Sequence, residues 1–371
     1  TVTLPAQRIG KLTVNNTGAL EVGTTASGSA DEQSGIVAAG AVNLQTDGAA
    51  LTVSQVIDTT DDTTGALALT TSNTGGVIEL DADITTVGDQ SYSGDTKLLN
   101  NVTLTATGAG TAAGDIDFAG GDMSNAAGTE RLTLVSDGTV TATGAMVIDE
   151  LALQGTADYS FANADNQISL LAAGTSSQRI GDLSVANKAT ALEVGTTDAG
   201  GADEQSGILA TGDVSIASAG ADLLVNQAID TQSATATALT LTETGSSGVI
   251  TLNADITTVG SQTYSGDQAG DSDVVITGTT RSTDEGVTTL DDYVTLEATG
   301  TDTADSDITF TGNTASDSSS QVLMLVADGA VDHGGSMQIE SLGLDGGAGF
   351  TFDNTANQID LLAAGGGVNG R

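Results

Sequence analysis

The only histidine of this 371-residue chain, His333, lies in VDHGGS. Carboxylates are paired at Asp61/Asp62 and Asp291/Asp292, and stand on alternate positions at Asp81/Asp83 and Asp115/Asp117. Two carboxylates facing one cleft about 5 to 9.5 Å apart can cleave a glycosidic bond, and residues i and i+2 of a strand share a face at about 7 Å. A sugar-cleaving groove also wants aromatic platforms, and this chain has four Tyr, five Phe and no Trp. Elimination chemistry on a polysaccharide wants an Arg or Lys base, and only eight cationic residues exist. A polysaccharide hydrolase would set a His beside clustered Asp. Here Ala142 holds the place of His333 in the other half of an internal repeat, so His333 reads as a surface residue in a turn. The carboxylates read as solvated acidic faces, and no catalytic residue is assigned.

Calcium suits the composition better, because its hard oxygen ligands are Asp carboxylates, Asn amides and turn carbonyls. The calcium-binding repeat GGxGxDxUx is approached only at GGAGFTF (346–352), where Thr351 replaces the Asp. No EF-hand pattern occurs. The expectation is no cofactor beyond weak calcium binding, with the metal ligands unknown. Cysteine is absent, which excludes disulfides, Cys metal sites and Cys nucleophiles.

The net charge is −41, from 38 Asp and 11 Glu against 3 Lys and 5 Arg. Such a surface repels nucleic-acid phosphates and anionic membranes, and suits divalent cations, cationic partners or a saline medium. No run approaches the 18 apolar residues of a membrane-spanning helix, so no membrane insertion is expected. The chain opens TVTLPAQRIG without Met and closes LLAAGGGVNGR, which reads as a mature product or a piece of something longer.

What must position these residues is a duplicated body. DITTVGDQSYSGD (83–95) returns as DITTVGSQTYSGD (255–267). QRIGKLTV (7–14) pairs with QRIGDLSV (178–185), and ADEQSGI (30–36) with ADEQSGI (202–208). LTLVSDGTV (132–140) pairs with LMLVADGAV (323–331), and YSFANADNQISLLAAG (159–174) with FTFDNTANQIDLLAAG (350–365). The two copies occupy residues 1–177 and 178–371 and are expected to form one continuous rod. The offset between them grows by about 20 residues inside 268–293, which predicts one extra coil there; a surface loop is the alternative.

Within each copy, short apolar-polar-apolar runs such as LTV (51–53), IEL (78–80), VTL (102–104) and LAL (151–153) recur between Gly-, Asp- and Ser-rich turns. That is the period-2 signature of strands with one buried face. With 2% aromatic residues, the interior must be narrow and filled by Val, Leu, Ile and Ala. Sandwich and barrel cores want larger side chains, and a propeller blade needs roughly 40 residues. The expectation is an all-β, right-handed parallel β-helix (β-solenoid) rod with a coil of about 20 residues and a length on the order of 85 Å at 4.8 Å per coil. Tyr92 and Tyr264 occupy matching places and should stack on neighbouring coils or cover a turn, exposed contact residues being the alternative. The sequons at Asn15 and Asn101 each occur in one copy only.

The run ADITTVGSQTYSGD, set among VTLxATG, LxLVADGAV and IxSLxL segments, resembles the repeat regions of filamentous-haemagglutinin-like and autotransporter-type bacterial surface adhesins. The resemblance spans both copies. It implies a β-helical stalk, secretion across the outer membrane, and a role in adhesion, biofilm or cell-surface structure. The family's amino-terminal secretion domain and carboxy-terminal membrane barrel are not seen, so the export route stays open. The resulting expectation is a non-enzymatic extracellular or cell-surface protein, an adhesin stalk or fibre-forming subunit. It would associate end to end or belong to a longer chain, with host or surface glycans as further partners. The alternatives are a β-helical polysaccharide hydrolase or lyase, and a carbohydrate- or protein-binding adhesin module.

Overall fold

A computed structural model describes residues 8–365, apart from 26, 30–31, 61–64, 74, 109–112, 127, 232–237, 245–247, 266–273, 277–292, 299–306, 311–312, 317–321 and 348. Among the described residues every regular element is a β-strand. The chain divides into two compact units, Thr1–Ile168 and Ser169–Arg371.

The first unit is a parallel β-helix. On its first face Val42 stands over Leu12, Leu67 over Val42, Gln90 over Leu67, Ile116 over Gln90, Val140 over Ile116 and Tyr159 over Val140, all in parallel register. Successive coils therefore take 30, 25, 23, 26, 24 and 19 residues, mostly more than the twenty or so expected. A second face stacks Leu20–Val22, Leu51–Val53, Val77–Leu80, Asp95–Leu98 and Met123–Asn125. A third stacks Ile36–Val37, Ile57–Thr59, Ile84–Thr86, Val102–Ala106 and Arg131–Ser136. The long strand Met146–Gly155 serves both, pairing through Met146 with Met123 and through Glu150 with Arg131.

Alternation decides which way each strand faces. Leu67, Leu69, Ile78, Leu80, Ile84, Leu104 and Ile116 are fully or almost fully buried, while the residues between them look outward. A slip of one residue would turn every apolar side chain to water, which fixes the register. The first coil is longest because it carries a projection. Thr24–Thr25 pairs antiparallel with Gln33–Ser34, so QSGI (33–36) of the repeated ADEQSGI opens on the return arm of that hairpin. Gly35 ends it at φ +69°, where a Cβ would strike the Val56 carbonyl at 2.2 Å; Gly207 repeats this at φ +69° against Ala228. Only glycine fits a backbone turned left-handed against the next coil.

The second unit repeats the plan. Val214 stands over Leu183, Leu239 over Val214, Gln262 over Leu239, Ile308 over Gln262, Val331 over Ile308 and Phe350 over Val331. The step from Gln262 to Ile308 spans 46 residues, enough for two coils, yet the two strands pair directly. On the third face Ile256–Thr258 likewise pairs directly with Tyr293–Ala298. On the second, Val274–Ile276 alone lies between Ile250–Leu252 and Thr314–Ser316. The extra coil expected near 268–293 lies, apart from Val274–Ile276 and Tyr293, outside the described residues.

Candidate functional site

The recurring thirteen-residue motif encloses a buried polar chain. Tyr92 is fully buried, and its hydroxyl donates to Gln90 Oε1 at 2.6 Å. Gln90 Nε2 donates to the Thr105 carbonyl at 2.8 Å and to Thr86 Oγ1 at 3.2 Å; Thr86 Oγ1 donates to the Gly88 carbonyl. The second copy repeats every link: Tyr264 to Gln262 at 2.8 Å, Gln262 to the Glu297 carbonyl at 2.8 Å and to Thr258, and Thr258 to Gly260. Tyr92 stacks on Phe118 of the next coil with centroids 4.9 Å apart, and Tyr264 on Phe310 at 5.0 Å. The tyrosines are therefore interior stacking residues. Burial pushes both hydroxyls well above the usual tyrosine pKa, so they stay protonated donors.

His333 departs from the surface turn expected of it. It ends the strand Ala330–His333, is 2% exposed, and continues the aromatic column 5.2 Å from Phe310. Its Nδ1 lies 3.1 Å from the Gly335 carbonyl and its Nε2 2.9 Å from Thr314 Oγ1. A carbonyl only accepts, so Nδ1 carries the hydrogen and Nε2 accepts from Thr314. Burial lowers its pKa, a shift that its backbone hydrogen bonds partly offset. Ala142 occupies the matching register position over Phe118, as the repeat alignment implies.

The described carboxylates of the alternate pairs, Asp81/Asp83 and Asp115/Asp117, each accept a hydrogen bond from another segment. Asp83 Oδ1 accepts the Thr103 amide at 2.8 Å, and Asp115 Oδ1 accepts the Thr139 amide at 2.7 Å and its hydroxyl at 3.1 Å. Asp117 accepts from the Thr141 hydroxyl at 2.7 Å, and Asp81 from the Asn100 amide group. All four therefore bond to a segment farther along the coil path. Asp61/Asp62 and Asp291/Asp292 lie outside the described residues.

The same tie recurs at strand entrances throughout. Asp89 accepts from Asp115 N, Asp95 from Asp122 N and Asp122 from Ala145 N. In the second unit Asp182 accepts from Asp213 N, Asp213 from Ala238 N, Asp222 from Val249 N, Asp255 from Thr295 N and Asp307 from Ala330 N. An Asp carboxylate is long enough to reach the amide one coil away. At two positions where the copies differ, the bond survives the change. Ser261 replaces Asp89, and its Oγ accepts the Asp307 amide at 3.2 Å. Asn313 replaces Asp122, and its Oδ1 accepts the Ser336 amide at 2.7 Å. These positions require an acceptor, and charge is dispensable.

The remaining repeated motifs also resolve into ties between coils. Arg8 reaches Asp58 at 3.2 Å, and Arg179 reaches Asp230 at 2.7 Å. Arg179 also donates to the Ala210 and Asp230 carbonyls, so one side chain spans successive coils. Burial works to raise the Asp58 pKa, but the Thr60 hydroxyl and amide and the Arg8 guanidinium outweigh it and hold it below the ordinary value. Asn166 Oδ1 accepts the Met146 amide at 2.8 Å, and Asn357 does the same for Met337 at 2.8 Å.

An open depression of about 630 Å³ is lined by Asp81, Leu99, Asn100, Asn101, Thr129 and Glu130. The sequon residue Asn101 uses its oxygen there to accept the Arg131 amide, and Asn15 is exposed. Among the described residues no three His, Asp or Glu side chains group as a metal site. In the segment GGAGFTF, Thr351 is exposed at the end of the strand Gly349–Thr351. Comparisons with protein-family models, with curated proteins and with solved structures match nothing.

Proposed function

We propose that this chain is a non-enzymatic structural protein of the cell surface or extracellular space, an adhesin stalk in which the repeat supplies length and rigidity. The observation that carries this reading is the Asp89/Ser261 and Asp122/Asn313 exchange, in which the same interstrand tie is kept while the charge is lost. A general acid, base or nucleophile could not be exchanged in this way. The aromatic side chains support it too. Tyr92, Phe118, Tyr159, Phe161, Tyr264 and Phe310 are all buried inside the helix, so they offer no platform for a sugar ring. Phe350 and Phe352 are half-buried.

Two experiments test the reading. Incubation with a panel of neutral and acidic polysaccharides should release no new chain ends. Cleavage abolished by Asp115→Asn would establish the hydrolase or lyase instead. Protease treatment of intact producing cells should remove the protein, and full protection would place it elsewhere. A second reading, a glycan- or protein-binding adhesin module, is favoured by the hairpin that projects in both copies, Thr24–Thr25 with Gln33–Ser34 and Thr196–Thr197 with Gln205–Ser206. Its tip closes alike in each, the Gly28 amide donating to Glu32 and the Gly200 amide to Glu204. Immobilised glycans retaining the wild-type chain, but not one lacking the tips, would favour it.

A further inference from the structure

The depression of about 630 Å³ lies wholly within the first unit, between Asp81, Leu99, Asn100, Asn101, Thr129 and Glu130. That volume suits a small molecule or one long side chain of a partner. Hydrogen bonds hold its walls. Asp81 Oδ1 accepts from the Asn100 amide group, Glu130 Oε2 accepts the Thr129 amide at 3.1 Å, and Asn101 Oδ1 accepts the Arg131 amide at 2.9 Å. Asn125 Nδ2 donates to the Glu130 carbonyl at 3.0 Å. Both carboxylates are thus set in place by the wall itself.

The second copy shows what the coil requires at these positions. Asn253 stands where Asp81 does, and Gln321 and Val322 stand where Glu130 and Arg131 do. The main chain is indifferent to the exchange. The Asp81 amide donates to the Val53 carbonyl at 2.9 Å, and the Asn253 amide to the Val225 carbonyl at 2.8 Å. Leu132 pairs with Val102 as Leu323 pairs with Val294. Yet Glu130 and Arg131 are only 6% and 8% exposed, and exchanging buried charges for neutral side chains is often neutral or stabilising. The fold does without these charges, so their presence in the first copy calls for another role.

The lining selects the ligand. Two carboxylates favour a cation with several N–H donors, and the surrounding charge of −41 draws cations in. Calcium would want about six to eight oxygens, and no three His, Asp or Glu side chains group among the described residues. A sugar ring would want an aromatic platform, and Leu99 is the one apolar residue of the lining. A guanidinium fits both features, because its planar fork bonds carboxylates two hydrogens at a time and its methylene stem can lie on an apolar wall.

We propose that this depression binds an arginine side chain of a basic peptide segment, with Asp81 and Glu130 receiving the guanidinium and Leu99 the stem. The second copy lacks both carboxylates, so one site per chain is expected. The site is independent of the stalk reading.

The exchange between copies supplies variants that spare the fold. Glu130→Gln and Asp81→Asn write the second copy's residues into the first, and Asp332→Asn removes one charge from an exposed strand position elsewhere. Calorimetric titration of the full chain with acetyl-Gly-Arg-Gly amide, in about 0.15 M salt to screen diffuse attraction, should show one saturable site. Glu130→Gln and Asp81→Asn should each weaken it by roughly tenfold or more, with circular dichroism unchanged, while Asp332→Asn binds like wild type. Methylguanidinium, a free ion of the same chemistry, should bind more weakly than the peptide. Absence of a saturable site overturns the proposal, as does an equal loss in Asp332→Asn. Methylguanidinium binding as tightly as the peptide overturns the peptide partner.

Discussion

The opening coils of the two copies have the same strands but different ties. At three strand entrances the second copy places Asp182, Asp213 and Asp222, each accepting an amide one coil away. The first copy has Lys11, Ala41 and Ala50 at the matching positions, and none of these side chains can accept a hydrogen bond. Both copies nonetheless stack Leu, Val and Ile in the same register. The hydrophobic alternation therefore sets the coil, and the Asp ties tighten a ladder that forms without them. That ranking fits the magnitudes, since a buried Leu or Val contributes about 1.5–3 kcal/mol and one net hydrogen bond about 0.5–1.5.

The largest effect should come from breaking what the copies share. Tyr92→Ala and Tyr264→Ala each empty a stacked aromatic site and leave a buried Gln without its partner. Each should cost its own unit about 3–5 kcal/mol in urea unfolding. A loss below about 1 kcal/mol would show that the repeated motif does not hold the coils together.

The second effect separates the copies by pH. His333 is buried as the neutral ring, so its folded pKa lies below the unfolded value of about 6.5. The stability it contributes is complete above that value and is lost as pH falls below it. The second unit should lose amide protection as pH falls below about 6.5, while the first, with Ala142 there, should not. His333→Ala should remove the difference. Asp58 acts in a lower window: its pKa is depressed, so the stability it lends goes as pH falls below about 3.9 and through the folded value.

The smallest effect runs in the stabilising direction. Ala41→Asp copies Asp213 into the first unit, where the amide waiting one coil on is that of Ala66, the counterpart of Ala238. The expected gain is about 0.5–1 kcal/mol, read as slower hydrogen exchange at Ala66.

Much of this architecture was legible in the letters. Runs such as LALT and IEL carry their own parity, and Tyr92 and Tyr264 fell on the inward side of it. His333 carried the same signal, since it stands two residues after the buried Val331, but the flanking GGS drew the reading toward a turn. The Asp ties were not legible because their partner is a backbone amide, which has no letter. What could have revealed them is the exchange of Asp89 for Ser261 and Asp122 for Asn313, a substitution pattern that keeps an acceptor and drops a charge. Length alone cannot tell a rung from residues added at corners, and the extra coil expected near 268–293 falls almost wholly outside the described residues.

Asp115 offers the most direct test of whether the carboxylates tie coils or carry chemistry. Asp115→Asn and Asp115→Ala should be compared by unfolding and by hydrogen exchange at Thr139, whose amide and hydroxyl both donate to that side chain. The account predicts that Asn keeps the wild-type stability while Ala loses about 0.5–1.5 kcal/mol and exposes the Thr139 amide to exchange. Equal stability of Ala and wild type, with an activity lost in Asn, would contradict it.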